Sequence, residues 1–196
     1  MLEHGLLLNR AQILDLGCGR GLLASWLRAA LLCYENGDWP DGWPPAPRPS
    51  RTRGIELMSR DVRRAHAALG SACDISQGDI RNAEYGTADA IVILDVLHYI
   101  CAQEQLQVLT RARAALPLRG LLLIRIGDAN AGLRFRYSQW IDKLVMLCRG
   151  HAPAVLHCRS AAQWGSLLSE CGFEVQATAM SDGTRFANVL LIALAI

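Results

Sequence analysis

The segment that most constrains the fold is a short apolar run that contains an acid and continues into three regularly spaced glycines. Residues 12–16 read Gln-Ile-Leu-Asp-Leu, and glycines follow at positions 17, 19 and 21. Residues 22–32 then carry leucines, alanines and a tryptophan at helical spacing. The pattern predicts a strand, a tight loop and a helix, with loop N–H groups that approach a ligand closely at the helix N-terminus.

The rest of the chain repeats this alternation of strand and helix. Further strands are predicted at 54–57, 74–78, 88–94 and 121–126, and helices at 60–69, 103–116, 138–148 and 161–171. Strands at 174–180 and 187–195 flank a turn at 181–184. We expect an α/β, Rossmann-like, seven-stranded and mostly parallel sheet with helices on both faces and a C-terminal antiparallel hairpin.

Composition favours a single domain over residues 1–196. The chain has 196 residues, of which 52% are apolar and 19% charged, and its net charge is +2. Such a weak and dispersed charge disfavours a dedicated nucleic-acid binder. Seven cysteines without a Cys-x-x-Cys pair indicate reduced thiols and a cytoplasmic protein. Several of them, Cys33, Cys101 and Cys148, lie in apolar runs, where a reduced thiol is expected to pack as a small buried hydrophobe. Apolar stretches are too short to span a bilayer, so no transmembrane segment is expected.

Two long connections interrupt the alternation. Residues 36–50 contain five prolines with Trp39 and Trp43, which predicts an insertion without regular structure whose tryptophans pin it to the domain. Residues 128–160 are a candidate lid that includes an amphipathic helix with nearby basic residues. The helix packs on the domain, covers an apolar substrate, or docks an acidic acyl carrier protein or a membrane surface, and these alternatives stay open.

Acidic residues at the next two strand ends outline a nucleoside site. Glu56 ends the second predicted strand, where a carboxylate accepts both ribose hydroxyls, and Asp79 follows the third, where it accepts from an adenine amino group. Ligands of open α/β sheets bind outside the carboxyl ends of the strands. A glycine loop alone also occurs for packing reasons, but the two acids favour a ligand site.

These residues resemble the class I S-adenosylmethionine-dependent methyltransferases. The resemblance covers Ile13-Leu14-Asp15-Leu16-Gly17-Cys18-Gly19-Arg20-Gly21, then Gly54-Ile55-Glu56-Leu57, Gly78-Asp79-Ile80 and Leu94-Asp95-Val96-Leu97-His98-Tyr99. It implies S-adenosylmethionine as cofactor and S-adenosylhomocysteine as product, with no metal. The implied cofactor-binding residues are Asp15, Gly17, Cys18, Gly19, Gly21, Glu56, Leu57, Asp79, Ile80 and Asp95.

His98 is the candidate residue for contact with the molecule that accepts the methyl group. It follows the fourth strand, and its near-neutral pKa range suits a general base, although a histidine there also serves packing. An Asn/Asp-Pro-Pro-Tyr motif is absent after this strand, which disfavours nucleobase amino methylation. Segments around Trp39–Pro47, Arg53–Met58 and Phe186–Leu191 resemble a subgroup associated with bacterial aryl-polyene pigment biosynthesis. That resemblance implies a phenolic or carrier-bound aromatic acceptor, methylated at carbon or oxygen.

Two features depart from the family pattern. The proline-rich insertion places Glu56 unusually far beyond the glycine loop, and the first strand begins near residue 12, where the family usually has a longer helical segment. One alternative is an NAD-dependent dehydrogenase, whose Gly-x-Gly-x-x-Gly loop requires glycine where Leu22 stands. The other is a non-catalytic, methyltransferase-like module that binds cofactor or a partner.

Overall fold

The computed structural model of the protein describes residues 1–70, 74–129, 156–180 and 188–196. The helix predicted at 138–148, the turn at 181–184 and most of the candidate lid lie outside these ranges. No helix in the described part of the chain is long and apolar enough to cross a membrane.

Seven strands form one sheet in the order β3-β2-β1-β4-β5-β7-β6. β1 pairs in parallel with β2 and β4, β2 pairs in parallel with β3, and β7 is antiparallel to both β5 and β6. The predicted fold class is confirmed. The strands are β1 Gln12–Leu16, β2 Arg51–Glu56, β3 Asp74–Gln77, β4 Ala90–Leu94, β5 Leu121–Gly127, β6 Phe173–Ala179 and β7 Asn188–Ala195.

In the described part of the chain, four α-helices lie between the strands where the sequence predicts them. They are α1 Leu22–Glu35, α2 Ser59–Leu69, α3 Ala102–Ala115 and α4 Ala161–Glu170, and a short 3-10 helix spans Leu97–Tyr99. α4 begins with a capping box, because the Ser160 hydroxyl accepts from the Gln163 N–H and the Gln163 side chain accepts from the Ser160 N–H. This cap fixes where the helix starts.

Several predicted boundaries are wrong by a few residues. β2 begins at Arg51 rather than at residue 54, because parallel pairing with β1 continues through Gln12–Arg51 and Ile13–Thr52. β4 begins at Ala90 rather than at residue 88. α1 continues to Glu35, three residues beyond the predicted end. Pairing with neighbouring strands and helical hydrogen bonding decide these ends, and neither is visible in local composition.

The chain divides into two compact units, and the prediction of a single domain stays a prediction. The first unit comprises residues 1–92 and 115–120, and the second comprises residues 93–114 and 121–196. In the first unit β1 lies between β2 and β4, with Ile13, Leu14 and Leu16 buried. In the second unit β7 lies between β5 and β6, and residues 121–124 of β5 are buried. Such continuous apolar burial is typical of strands covered on both faces.

Candidate active site

The glycine loop adopts a backbone that only glycines form at low cost. Gly17, Gly19 and Gly21 have φ of 75°, 57° and 77°. The N–H groups of Gly17 and Cys18 both donate to the Ile55 carbonyl, at 2.8 and 3.2 Å. The loop is therefore fastened to the end of β2 before it enters α1.

The glycines of this region have different roles. A Cβ atom at Gly21 would lie 2.7 Å from Leu69 Cδ1 and 2.8 Å from Ile75 Cδ1, whereas a Cβ at Gly19 would meet nothing within 4 Å. Gly21 is thus required by packing against α2 and β3. Gly19 borders open space, as a position for close backbone approach to a ligand should.

Glu56 is joined to the glycine loop by hydrogen bonds. One carboxylate oxygen accepts from the Gly19 N–H at 2.9 Å, and the other accepts from the Met58 N–H at 2.8 Å. The residue lies at the end of β2, as predicted, and it is almost entirely buried. Each oxygen retains lone-pair capacity for a further donor. The role of Glu56 toward ribose hydroxyls stays a prediction.

Asp15 lies at the base of the same loop. The residue is 6% exposed, and its partners on β2 and β4 are Gly54 and Val92. Burial, with the negative charge of Glu56 as a second cause, raises the pKa of Asp15 to about 7. A buried carboxyl group that titrates near neutrality is therefore part of the site.

Asp79 follows β3, as predicted. Its carboxylate is hydrogen-bonded to Arg81, a partner that was not predicted from the sequence. Its carboxylate accepts from the Arg81 guanidinium at 2.6–3.0 Å and from the Arg81 N–H at 2.9 Å. The Arg81 hydrogen bond is the main reason that the pKa of Asp79 is lowered, against the opposing effect of burial. The neighbouring Ile80 is buried, and its carbonyl accepts from the Tyr85 hydroxyl at 2.6 Å. An adenine amino group would have to share Asp79 with Arg81.

The arginine of the glycine loop is paired with α2. Arg20 Nε lies 3.2 Å from Asp61 Oδ1, and Arg64 also reaches this carboxylate. Burial acts to raise the pKa of Asp61, but the hydrogen bond from Arg20 and the charges of Arg20, Arg60 and Arg64 outweigh it, so that the pKa is lowered. This ion pair is a second attachment of the loop.

Two other predicted cofactor residues differ in exposure. Cys18 is buried, and it packs with Ala65 and Ile75 in a small apolar cluster. Its side chain is thus a core group, and its backbone N–H and carbonyl are bonded to the Ile55 carbonyl and the Gly21 N–H. Leu57 is 55% exposed at the end of β2 and is available to a ligand. The ligand roles of all these residues stay predictions.

In the second unit, the predicted cofactor residue Asp95 is engaged by an arginine. Asp95 has a φ of 57°, and its carboxylate accepts hydrogen bonds from the Arg125 guanidinium of β5. The Asp95 N–H donates to the Arg125 carbonyl at 3.2 Å. Arg125 was missed, although it is the one charged residue of the apolar run 121–126. That interruption was the available signal.

His98 lies in the 3-10 helix after β4 rather than directly on the strand end. Its ring and that of Tyr99 are 4.1 Å apart between centroids, and Tyr99 is 40% exposed. The His98 carbonyl accepts from the His157 N–H at 2.8 Å. The turn is therefore joined by its backbone to the segment at residue 157.

Gln105 of α3 organises this turn and was also missed. It is fully buried, and its Nε2 donates to the carbonyls of Leu97, Ile100 and His157 at 2.8–3.2 Å. Its Oε1 accepts from Arg159 Nε at 2.8 Å. A buried amide with every group satisfied specifies one conformation of its surroundings. Gln105 thus holds the backbone that carries His98.

The insertion at 36–50 has no helix or strand, as predicted. Trp39 packs edge-on against Tyr34 of α1 and against Trp43, at centroid distances of 5.9 and 5.6 Å, and its Nε1 donates to the Pro44 carbonyl. The pinning role of Trp39 is confirmed. The expectation that Cys33 packs as a buried thiol is wrong, because its place on α1 faces solvent.

Comparison with known proteins identifies the family. The model of the methyltransferase domain family matches residues 4–178, which include the glycine loop, Glu56, Asp79 and His98. The chain belongs to this family. The prediction of a class I S-adenosylmethionine-dependent methyltransferase is confirmed, and S-adenosylmethionine is the cofactor that goes with this class.

A curated relative and two solved structures agree with this family. The chain is 30% identical over 119 residues to the carboxy-S-adenosyl-L-methionine synthase of Chromohalobacter salexigens, a match that covers 58% of this chain and 39% of that protein. It resembles a complex of the Haloferax volcanii Trm112 methyltransferase activator and a methyltransferase, with a TM-score of 0.73, 14% identity and coverage of 98% and 87%. It also resembles the magnesium protoporphyrin IX methyltransferase of Synechocystis with bound S-adenosylhomocysteine, with a TM-score of 0.64, 17% identity and coverage of 98% and 77%.

Proposed function

We propose that this chain transfers the methyl group of S-adenosylmethionine to a small-molecule acceptor. The observation that carries the proposal is the open space at Gly19, beside a Glu56 carboxylate that accepts from the Gly19 N–H. A backbone free of side chains and a fixed carboxylate are what a ribose-bearing ligand requires at this position.

In this proposal the donor half of the site binds and orients the cofactor. Glu56 accepts from the ribose hydroxyls, and the glycine loop approaches the methionine part of the cofactor. Methyl transfer requires an acceptor atom in line with the carbon–sulfur bond, so that positioning supplies most of the catalysis. The electron pair of that bond remains on sulfur as it becomes a neutral thioether.

For the acceptor we propose a phenolic or other aromatic compound. Support comes from the adjacent rings of His98 and Tyr99, of which Tyr99 offers an exposed aromatic surface. His98 is the candidate general base for an acceptor hydroxyl. The structurally similar magnesium protoporphyrin IX methyltransferase of Synechocystis is named for an aromatic small-molecule substrate, which favours an acceptor of the same class. An aryl-polyene head group is the finer version of this proposal.

The test is methyl transfer from isotopically labelled S-adenosylmethionine, followed by mass spectrometry. The panel contains a phenolic acid, its methyl ether, an aliphatic acid and the phenolic acid loaded on acyl carrier protein. We expect label in the phenolic acid or its carrier-bound form. Label only in the aliphatic acid would contradict the aromatic acceptor, and no label in any compound would contradict transfer to these classes.

Two variants separate a base from a packing residue. We expect His98→Gln to lower kcat about a hundredfold or more, the usual contribution of general acid–base catalysis, without changing the affinity for S-adenosylmethionine. His4→Gln is the matched control, because His4 is exposed in the first unit. Unchanged kcat in His98→Gln would remove the histidine from the mechanism.

Docking of an acyl carrier protein or a membrane by residues 128–160 is a separate proposal. It depends on basic residues at 134, 136, 143 and 149, which lie outside the described part of the chain. An electrostatic surface must weaken as salt screens it. Pull-down of acyl carrier protein that is lost at high salt would support docking, and absence of capture at low salt would contradict it.

A further inference from the structure

The ion pair of Arg125 and Asp95 has no role in the methyl transfer proposed for this chain. Both residues lie in the second unit. Arg125 donates from Nε to both carboxylate oxygens of Asp95, at 3.1 and 2.9 Å, and from Nη2 to one of them. Hydrogen bonds from two nitrogens of one guanidinium are the usual way in which arginine recognises a carboxylate. Asp95 therefore shows the class of group that Arg125 is placed to bind.

Arg125 is held at a fixed position by the strand that carries it. It follows four buried apolar residues of β5, Leu121–Ile124, and its partner on β7 is Leu190. The pairing of β5 with β7 continues beyond it to Gly127 and Asn188. A backbone that is paired on both sides of the arginine in sequence cannot shift when a ligand arrives. The guanidinium is therefore preorganised for an anion, which lowers the entropic cost of binding.

Asp95 is the partner that a ligand can replace. It lies in the bend between β4 and the 3-10 helix, with a φ of 57° that aspartate adopts at modest cost. The side chains of Arg125 and Asp95 are 34% and 42% exposed. An ion pair this open to solvent contributes little to stability. A carboxylate from solution therefore reaches Arg125 and competes with Asp95 on nearly equal terms.

The pair belongs to the same segment as the two rings proposed to meet the acceptor. His98 follows Asp95 by three residues, which keeps the two Cα atoms within about 11 Å of each other. The rings of His98 and Tyr99 lie 4.1 Å apart between centroids. Ligands of such sheets bind outside the carboxyl ends of the strands, and both the 3-10 helix and Arg125 are near a strand end. An aromatic ring and a carboxylate on one molecule match these groups.

We propose that the acceptor is a free aromatic acid whose carboxylate replaces Asp95 on the Arg125 guanidinium. The ligand accepts the hydrogen bonds that Asp95 gives up, and the Asp95 carboxylate turns to solvent, so that no covalent bond changes in this step. The acid group anchors the acceptor and is not itself methylated. A carrier-bound thioester has no carboxylate to offer. This inference rests on the proposed function, to which it adds the group that selects the acceptor.

The experiment compares the affinities of the full chain for para-hydroxybenzoate and para-hydroxybenzamide by ligand-detected NMR, which measures weak binding. The two probes have the same ring and hydroxyl group, but the amide has no charge. We expect the acid to bind about tenfold more tightly, because a hydrogen bond between charged groups is stronger than one to a neutral amide. Equal affinities would overturn the proposal. This comparison uses the wild-type chain, so no folding defect of a variant affects it.

Variants of the two partners should change the affinity for para-hydroxybenzoate in opposite directions. Arg125→Gln removes the cation, and Kd should rise about tenfold. Asp95→Asn removes the competing charge and keeps a residue that tolerates positive φ, so Kd should fall about threefold. Asp74→Asn is the matched control, because it breaks an exposed ion pair with Arg51 in the first unit and should behave as the wild type. A pair that serves only the fold predicts weaker binding in both variants, and that result would overturn the proposal.

Transfer of labelled methyl separates this inference from the function on which it rests. We expect label on para-hydroxybenzoate outside its carboxyl group. Equal label in the acid and the amide, label as a methyl ester, or label only in a carrier-bound form would overturn the role of Arg125 and leave methyl transfer standing. No label in any compound would overturn the proposed function, and with it the acceptor, even if Arg125 binds para-hydroxybenzoate.

Discussion

The glycine loop in the first unit and the turn after β4 in the second unit both follow a strand of the parallel part of the sheet, but they use their polar groups differently. At the glycine loop, Gly19 borders open space and Glu56 is held by backbone N–H groups. After β4, Asp95 is paired with Arg125, and the buried amide of Gln105 is fully used by neighbouring backbone. The first region leaves open space beside a carboxylate held by backbone hydrogen bonds, whereas the polar side chains of the second region are used by their neighbours.

The largest effect should come from filling the open space of the glycine loop. Gly19→Val places a branched side chain where the cofactor must approach, and we expect affinity for S-adenosylmethionine to fall at least about a thousandfold, or roughly 4 kcal/mol. Titration calorimetry measures it. Gly42→Val is the control, since Gly42 also has a positive φ and open surroundings but lies in the insertion. Equal affinity in the two variants would show that Gly19 does not border the ligand.

Asp15, which lies in β1 just before the glycine loop, should lower the free energy of unfolding at neutral pH relative to acidic pH. The pKa of Asp15 is raised to about 7 in the folded protein, so the folded state holds the proton that the unfolded state releases. The resulting contribution is complete below about pH 4 and is lost as pH rises to about 7. We expect Asp15→Asn to gain up to about 4 kcal/mol over wild type between pH 4 and pH 8. Denaturant unfolding at both pH values checks this, and a constant difference would contradict it.

Gly21 tests whether the glycines of one loop have distinct roles. Gly21→Ala brings a Cβ within 2.7–2.8 Å of the Leu69 and Ile75 methyl groups. We expect a loss of about 3 kcal/mol in the free energy of unfolding, from overpacking and a positive φ together. Gly37→Ala, with the same backbone region and open space, should lose only about 1 kcal/mol. Equal losses would mean that backbone strain alone explains Gly21.

The smallest expected effect concerns the turn after β4, which contains the 3-10 helix Leu97–Tyr99. Gln105→Leu removes the amide that donates to the carbonyls of Leu97, Ile100 and His157, of which the Leu97 carbonyl keeps the Ile100 N–H as a donor. We expect a loss of about 2 kcal/mol in stability, with affinity for S-adenosylmethionine nearly unchanged and activity lowered through displacement of His98. Gln107→Leu, on the exposed side of α3, is the control. A loss of cofactor affinity as large as that of Gly19→Val would erase the distinction between the two regions.

The sequence predicts the glycine loop and the strand ends around it because their signals are local. Glycines at fixed spacing and acids at strand ends are visible in the chain, and the structure places Glu56 against the loop as expected. Side-chain partners distant in sequence are harder. Arg125 reaches Asp95 across 30 positions, and Gln105 reaches His157 across 52. No local pattern records such pairs, although a lone arginine in the apolar run of β5 was a clue.

The burial of polar groups could not be predicted from the sequence either. Asp15 is buried, and Gly54 and Val92 are its partners on the neighbouring strands, whereas the carboxylate of Asp79 is paired with Arg81. The two acids consequently have pKa values shifted in opposite directions. The sequence shows residue types at strand ends, whereas their three-dimensional surroundings set the charge.

Thermal unfolding of the full chain with S-adenosylmethionine, S-adenosylhomocysteine or NAD tests the central claim most directly. A ligand at a hundred times its Kd stabilises the folded state by about 2.7 kcal/mol, which for a domain of this size raises Tm by roughly 5 °C or more. We predict that both adenosyl compounds raise Tm and that NAD does not. A rise with NAD and none with S-adenosylmethionine would contradict the assignment of the glycine loop as a methyl-donor site.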